Sequence, residues 1–322
     1  MDIFEFGEIC NDQVKLIKYL RSNNLLRSKQ LCYRCNRWKT NVKRKNCFDN
    51  YVWKCPNKKC NQTNSIRTGS FFVERKFSRI PLRVLFAIIY FFAQDANQTL
   101  IYKNIGNHIT RQRIGQWQQY LRDICTCWLL DNPFKIGGPG KIVQVDESKT
   151  GGKRKYNKGR SLGHDPDWLI GVYSTDSKQG CIQIVSNRNQ KTCRKFLKKH
   201  VKPGSIIHSD EWKGYTKLQE DGFMLHETVC HKRNFKDPKT GAHTQGIEGI
   251  WGVTKARFKT IRGFPKHLRP TYIDEALYRL NRVPGRDFRA SLIQEILLDI
   301  AKEYPMPDWP LDAPELVPVI KY

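Results

Sequence analysis

Three acidic residues stand where apolar segments begin or end, and together they could hold divalent metal. Asp146 follows the alternating run Ile142-Val143-Gln144-Val145, the pattern of a buried strand. Asp210 follows a second short strand pattern, 205–209, entered through the turn Pro203-Gly204. Glu248 lies near the start of a helical pattern, 246–259, whose Ile247, Ile250, Trp251 and Phe258 form an apolar stripe. Asp146 and Asp210 are 64 residues apart, and Glu248 is a further 38 on. Adjacent strands run about 5 Å apart, so two strand-end aspartates can share an ion. Oxygen ligands suit Mg2+ or Mn2+. Two such ions about 4 Å apart would support in-line displacement at a phosphodiester: one activates a water or a 3′-hydroxyl, the other stabilises the departing oxygen. Lys255 lies two helical turns beyond Glu248, on the same face, where it could meet a phosphate.

The chain has 30 acidic residues, so spacing alone leaves rivals open. Glu147 and Glu211 follow the two aspartates and, on strands, should face the other way. Asp165 and Asp167 fall in a loop pattern, and Asp274 and Glu275 on a later helix; all four are expected to be solvated. His243 competes with Glu248 for the third position, or assists it.

A second constellation is built from thiols. Cys32 and Cys35 are followed after nineteen residues by Cys55 and Cys60. Two short-spaced pairs at this separation are the pattern of a zinc ribbon, with four thiolates closing a tetrahedron round one structural Zn2+. Cys47 lacks a near neighbour but could substitute. Lys39, Lys43, Arg44 and Lys45 lie between the pairs and could follow phosphates.

These residues need elements to place them. A helix is expected over 8–21, then the ribbon, then helices over 80–93 and 100–107 and a third capped by Thr110. A tight turn before the third suggests a helix-turn-helix whose reading helix offers Arg111, Arg113 and Gln116 to base edges. After the linker 131–140 come three strands expected to pair antiparallel, a basic helix over 191–200, and the strand leading to Asp210. That is the order of a ribonuclease-H-like core. Between its first two strands lies a loop with Lys153, Arg154, Lys155, Lys158 and Arg160, suited to a phosphate backbone. A last amphipathic helix, 288–301, needs a cover from the core or from a second subunit, and a proline-rich tail follows. The expected fold is an α/β multidomain chain: helix plus zinc ribbon (1–70), helix-turn-helix segment and linker (71–135), ribonuclease-H-like core with a mixed sheet flanked by helices (136–283), and C-terminal helix with tail (284–322).

Composition points to the partner. The chain carries a formal net charge of +27 with 39% hydrophobic residues, enough for a core but self-repelling without a polyanion. Apolar runs of about 18 residues are missing, so a transmembrane helix is not expected. The segment MDIFEFGEIC lacks a basic stretch before an apolar one, so export is not expected, and the eleven cysteines are read as ligands or core thiols.

The stretches VDESKTGGKRKYNKGR, HSDEWKGY and NFKDPKTGAHTQGIEGIWGVTKARF resemble the catalytic blocks of the Merlin superfamily of DNA transposases, eukaryotic relatives of bacterial insertion-sequence transposases. The upstream ribbon and TGSFF resemble that family's N-terminal half, so the likeness covers roughly residues 30–285. Gln245 and Gly246 depart from the Asn or Thr usual there. The resemblance implies a DDE transposase catalysing cut-and-paste transposition with Mg2+ or Mn2+. Asp146, Asp210 and Glu248 would be the three acids and Lys255 the basic residue after them. It implies double-stranded DNA as partner (terminal inverted repeats and target), a homodimer or higher homo-oligomer, a nuclear location, and neither a membrane nor a small-molecule substrate. The rival readings are a domesticated sequence-specific DNA-binding protein that kept the fold without activity, and a ribonuclease-H-type nuclease acting on RNA or on DNA junctions.

Overall fold

A computed structural model describes residues 1–45, 47–73, 80–150, 167–215, 218–229, 237–260, 265–286 and 291–306. The chain divides into two compact units, residues 1–127 with 288–322, and residues 128–287.

In the first unit, α1 (Ile3–Asn11) and α2 (Gln13–Ser22) replace the single helix expected over 8–21. Asp12 is the reason: its carboxylate accepts from the main-chain N–H groups of Val14 and Lys15, and so caps a new helix there. Leu16, Ile17 and Leu20 then face inward. The ribbon is a three-stranded antiparallel sheet of β1 (Thr40–Lys43), β2 (Tyr51–Lys54) and β3 (Thr63–Ser65). Helix α3 (Leu82–Ala93) is almost wholly buried, as its unbroken apolar run requires. It is followed by α4 (Gln98–Ile105), the turn 106–110, and α5 (Arg111–Asp131). Thr110 Oγ1 accepts from Arg113 N at 3.3 Å, the expected cap.

The second unit is built on a five-stranded mixed sheet. Its strands are β4 (Ile142–Lys149), β5 (Trp168–Ser174), β6 (Gly180–Val185), β7 (Ile206–Asp210) and β8 (Leu225–Val229), in the order β6-β5-β4-β7-β8. The first three pair antiparallel, while β7 joins β4, and β8 joins β7, in parallel. A parallel neighbour needs a crossover. Helix α6 (Gln190–His200) supplies it between β6 and β7. This is the strand order of a ribonuclease-H-like core.

Alternation along the strands divides the sheet into two faces. On one, Val143, Val145, Ile170, Val172 and Ile207 pack with Phe196 and Leu197 of α6. On the other, Leu169 and Ile182 pack with Ile247, Trp251 and Phe258 of α7 (Gln245–Thr260) and with Ile273 and Leu277 of α8 (Arg269–Asn281). The last helix, α9 (Ile293–Glu303), belongs to the first unit. There Leu292 N bonds to Ala93 O of α3, and Tyr304 meets Phe71 edge-on. Its apolar residues Ile293, Ile296, Leu297 and Ile300 are buried.

Candidate active site and metal centre

Strand pairing brings Asp146 and Asp210 together. The parallel register sets Ile142 against Ile206 and Gln144 against His208, an offset of 64 residues. Asp146 and Asp210 have the same separation, so continuing the register sets them side by side on one face. Asp146 is not at a strand end, as its position after the apolar run suggested. β4 continues to Lys149, paired with β5, and Asp146 stands opposite Gly171. What ends near Asp146 is the pairing with β7, two residues earlier.

The side of the sheet they share is the α7 side. Asp146 Oδ2 accepts from the indole Nε1 of Trp251 at 3.0 Å. Gly171 makes room for this: a Cβ there would lie 2.7 Å from the Trp251 ring. Asp210 Oδ1 accepts from Trp212 N at 3.0 Å. Glu248 is in the first turn of α7, and its Oε1 accepts from Thr244 Oγ1 at 3.0 Å. Burial pushes the Asp146 carboxyl up to about 6, with the Asp210 and Glu248 charges adding to the rise against the hydrogen bonds from Glu147 N and Trp251. The three acids therefore share one electrostatic site. Their oxygens do not converge as tightly as the thiols described below. All three donors are carboxylates, fitting a hard cation. Lys255 is partly exposed on α7 and forms neither an ion pair nor a hydrogen bond with the described residues.

Beneath the carboxylates, one residue pair back along the strands, lies a polar layer. Gln144, fully buried, accepts at Oε1 from Ile247 N (3.0 Å), and its Nε2 meets His243 Nδ1 (2.8 Å). His243 N donates to His208 Nδ1 at 3.4 Å, and His208 Nε2 is 3.0 Å from Glu227 Oε2. Burial lowers the His208 pKa, with Glu227 opposing. One sign of this layer is legible in the chain: Gln144 interrupts an otherwise apolar strand.

Glu147 does face the other side. It meets the Tyr215 hydroxyl at Oε1 and Arg188 Nη1 at Oε2, the latter at 3.4 Å. Burial, with Asp146 and Asp210 adding, pushes its carboxyl up to about 7 against these two partners. Two other acids differ from expectation. Asp167 accepts from Arg269 Nη1 at 2.6 Å, and Glu275 is buried between Arg257 and Arg279. Each is held by an arginine far from it in sequence or one helical turn away, and neither is solvated. Lys153, Arg154, Lys155, Lys158, Arg160 and Asp165 lie outside the described residues.

In the first unit the four sulfurs of Cys32, Cys35, Cys55 and Cys60 lie within 4.8 Å of one another, alone in this among the described His, Cys, Asp and Glu groups. Cys32–Cys60 and Cys35–Cys55 are 3.5 and 3.3 Å apart. A tetrahedron of 2.3 Å Zn–S bonds has edges of roughly 3.8 Å, so the set fits Zn2+ with little adjustment. Asn36 and Asn61, each directly after a cysteine pair, adopt positive φ (51° and 46°) and close the two knuckles. Lys39 does not follow phosphates. It is 5% exposed, its ammonium donates to Asn64 Oδ1, and it forms no ion pair with a described carboxylate. Lys43, Arg44 and Lys45 are exposed.

On α5, Arg111 and Gln116 are exposed and Arg113 partly so. Arg111 lies over the Tyr102 ring at 4.6 Å, and Arg113 Nη1 is 3.5 Å from Gln116 Oε1.

Residues 137–281 match the model of the ISXO2-like transposase domain. An uncharacterized transposase-like protein of Haemophilus influenzae is 26% identical over 98 residues, 30% of this chain and 77% of that one. These two matches support a transposase family. Among solved structures, the catalytic core of BIV integrase overlaps 51% of this chain and 99% of its own at 14% identity and a TM-score of 0.32. The magnesium-bound HTLV-2 integrase core overlaps 46% and 90% at 16% identity and 0.30.

Proposed function

We propose that this chain is a DDE transposase of the Merlin type. It would bind terminal inverted repeats through the ribbon and the helix-turn-helix segment, then cut and rejoin DNA at Asp146, Asp210 and Glu248. The observation that carries the reading is the register of β4 on β7, whose offset equals the separation of the two aspartates. With it goes the upward shift of Asp146, to which both other acids contribute. Mg2+ or Mn2+, when bound, would supply Lewis-acid stabilisation to both the attacking and the departing oxygen. Asp146 and Asp210 would hold it from neighbouring strands. Glu248 would turn from Thr244 toward it, and Lys255 would meet a phosphate. Trp251 would keep Asp146 aimed through its N–H. Arg111 and Gln116, exposed, and Arg113, partly so, would read bases. Zn2+ would stay structural, since four cysteines leave no open position. Acting on two element ends calls for a homodimer or larger assembly, and a nuclear location belongs to the same reading.

The test uses purified full-length protein and a cassette flanked by the element's repeats. Asp146→Ala and Asp210→Ala should keep DNA binding and lose divalent-metal-dependent cleavage. Undiminished cleavage in either sinks the assignment. Repeat binding without cleavage by the wild type would favour the domesticated DNA-binding protein.

A further inference from the structure

The paired register of β4 and β7 stops at Gln144 and His208, two residues short of the carboxylates. Beyond that point the ladder does not set the distance between Asp146 and Asp210. A connection does exist on the opposite face, and Arg188 is at its centre. Arg188 precedes α6, and its guanidinium carbon is 3.7 Å from the centroid of Trp212 and 4.3 Å from that of Trp168. The same group reaches Glu147 Oε2 at 3.4 Å. A planar cation held between two indoles has its orientation set.

Each contact leads to one aspartate. Glu147 follows Asp146 directly on β4. Trp212 stands two residues after Asp210 and gives its main-chain N–H to Asp210 Oδ1. Tyr215, fully buried in the same turn, gives its hydroxyl to the other oxygen of Glu147. Trp168 is the residue opposite Lys149, so the stack also braces the end of β4. The Arg188 side chain is 42% exposed, so its ion pair adds little to stability. Glu147, at 4% exposure, is the buried partner that needs it.

We infer that Arg188 is a positioning residue: through Glu147 and Trp212 it sets the separation at which Asp146 and Asp210 present their oxygens to a divalent cation. This rests on the reading of those two carboxylates as metal ligands. It is tested by Mn2+ binding to the zinc-loaded full chain, followed by the electron paramagnetic resonance signal of free Mn2+, with thermal melts beside it. Wild-type binding that is lost in Asp146→Ala identifies the site. Arg188→Ala should raise the half-saturating Mn2+ concentration roughly tenfold or more, the scale of lost outer-shell partners. Arg188→Lys keeps the charge and loses the planar stack, so it should fall between. Lys191→Ala, at an exposed position on α6, should bind as wild type. A purely structural role would lower the melting temperature and leave Mn2+ affinity unchanged. Wild-type affinity in folded Arg188→Ala or Arg188→Lys overturns the inference and leaves the carboxylate reading standing. Failure of the wild type to bind Mn2+ through Asp146 overturns both.

Discussion

Asp146→Asn should stabilise the core unit above pH 7. In the native chain Asp146 is raised from 3.8 to about 6, chiefly by burial and then by Asp210 and Glu248. The folded state therefore holds this proton more tightly than the unfolded state. Stability falls as pH rises from about 4 through 6, and stays lower above. That rise corresponds to about 3 kcal/mol. Residual water access and the imperfect match of an amide to the site reduce the gain to about 1–2 kcal/mol. Trp251 keeps its acceptor, because asparagine retains Oδ1. For a unit of this size the gain is about 2–8 °C in Tm. The assay is thermal unfolding of wild type and Asp146→Asn, zinc-loaded and without added Mg2+ or Mn2+, at pH 5 and pH 8. The difference should be largest at pH 8 and fall to about half at pH 5, where the native carboxyl is protonated but the unfolded one is ionised. A lower Tm at pH 8, or the same gain at both pH values, refutes the reasoning. Adding Mn2+ at pH 8 should stabilise the wild type and not the variant.

Gly171→Ala would place a Cβ 2.7 Å from the Trp251 ring and lift its N–H from Asp146, costing about 1–3 kcal/mol in urea unfolding. Lys39→Met should weaken zinc about tenfold or more in chelator competition while Lys43→Met does not, because the ammonium buried beside four thiolates offsets their charge. Arg67→Met removes both hydrogen bonds to buried Asp49 and the one to Ile80 O. The lone carboxylate should cost the first unit about 3–5 kcal/mol in denaturant unfolding. Stripping zinc should unfold the ribbon, read from the buried Trp53 fluorescence, with the core sheet retained in far-UV circular dichroism.

Asp146 and Asp210 could be singled out because each follows a short apolar strand pattern, while the register that sets them level came only from the fold. The four cysteines were legible because knuckle spacing is local. What escaped depends on distance along the chain. Glu147 meets Arg188 at a separation of 41 residues and Tyr215 at 68, and nothing local marks either partner. Asp167 waits for Arg269 in the same way. Lys39 lies in a basic run, and only the folded ribbon turns it inward while its neighbours stay out. The strand end was misplaced because the apolar run ends near where β7 stops pairing, while β5 carries β4 on to Lys149. The break at Asp12 was a missed capping signal, an aspartate inside a weak helical stripe.

Gln144 also bears on the contest between His243 and Glu248, and favours the glutamate. A main-chain N–H can only donate, so the Gln144 oxygen must face Ile247 N. Its amide nitrogen then faces His243 Nδ1, which must accept. This hydrogen bond selects the tautomer that carries its proton on Nε2. A cation could reach Nδ1 only by breaking the bond that satisfies a fully buried amide, and Nε2 only after that proton leaves. Glu248 is exposed, in the first turn of α7, and can exchange its Thr244 contact for a metal. In this reading the histidine ties the start of α7 to β4 and β7, and the glutamate that α7 carries is left to complete the site.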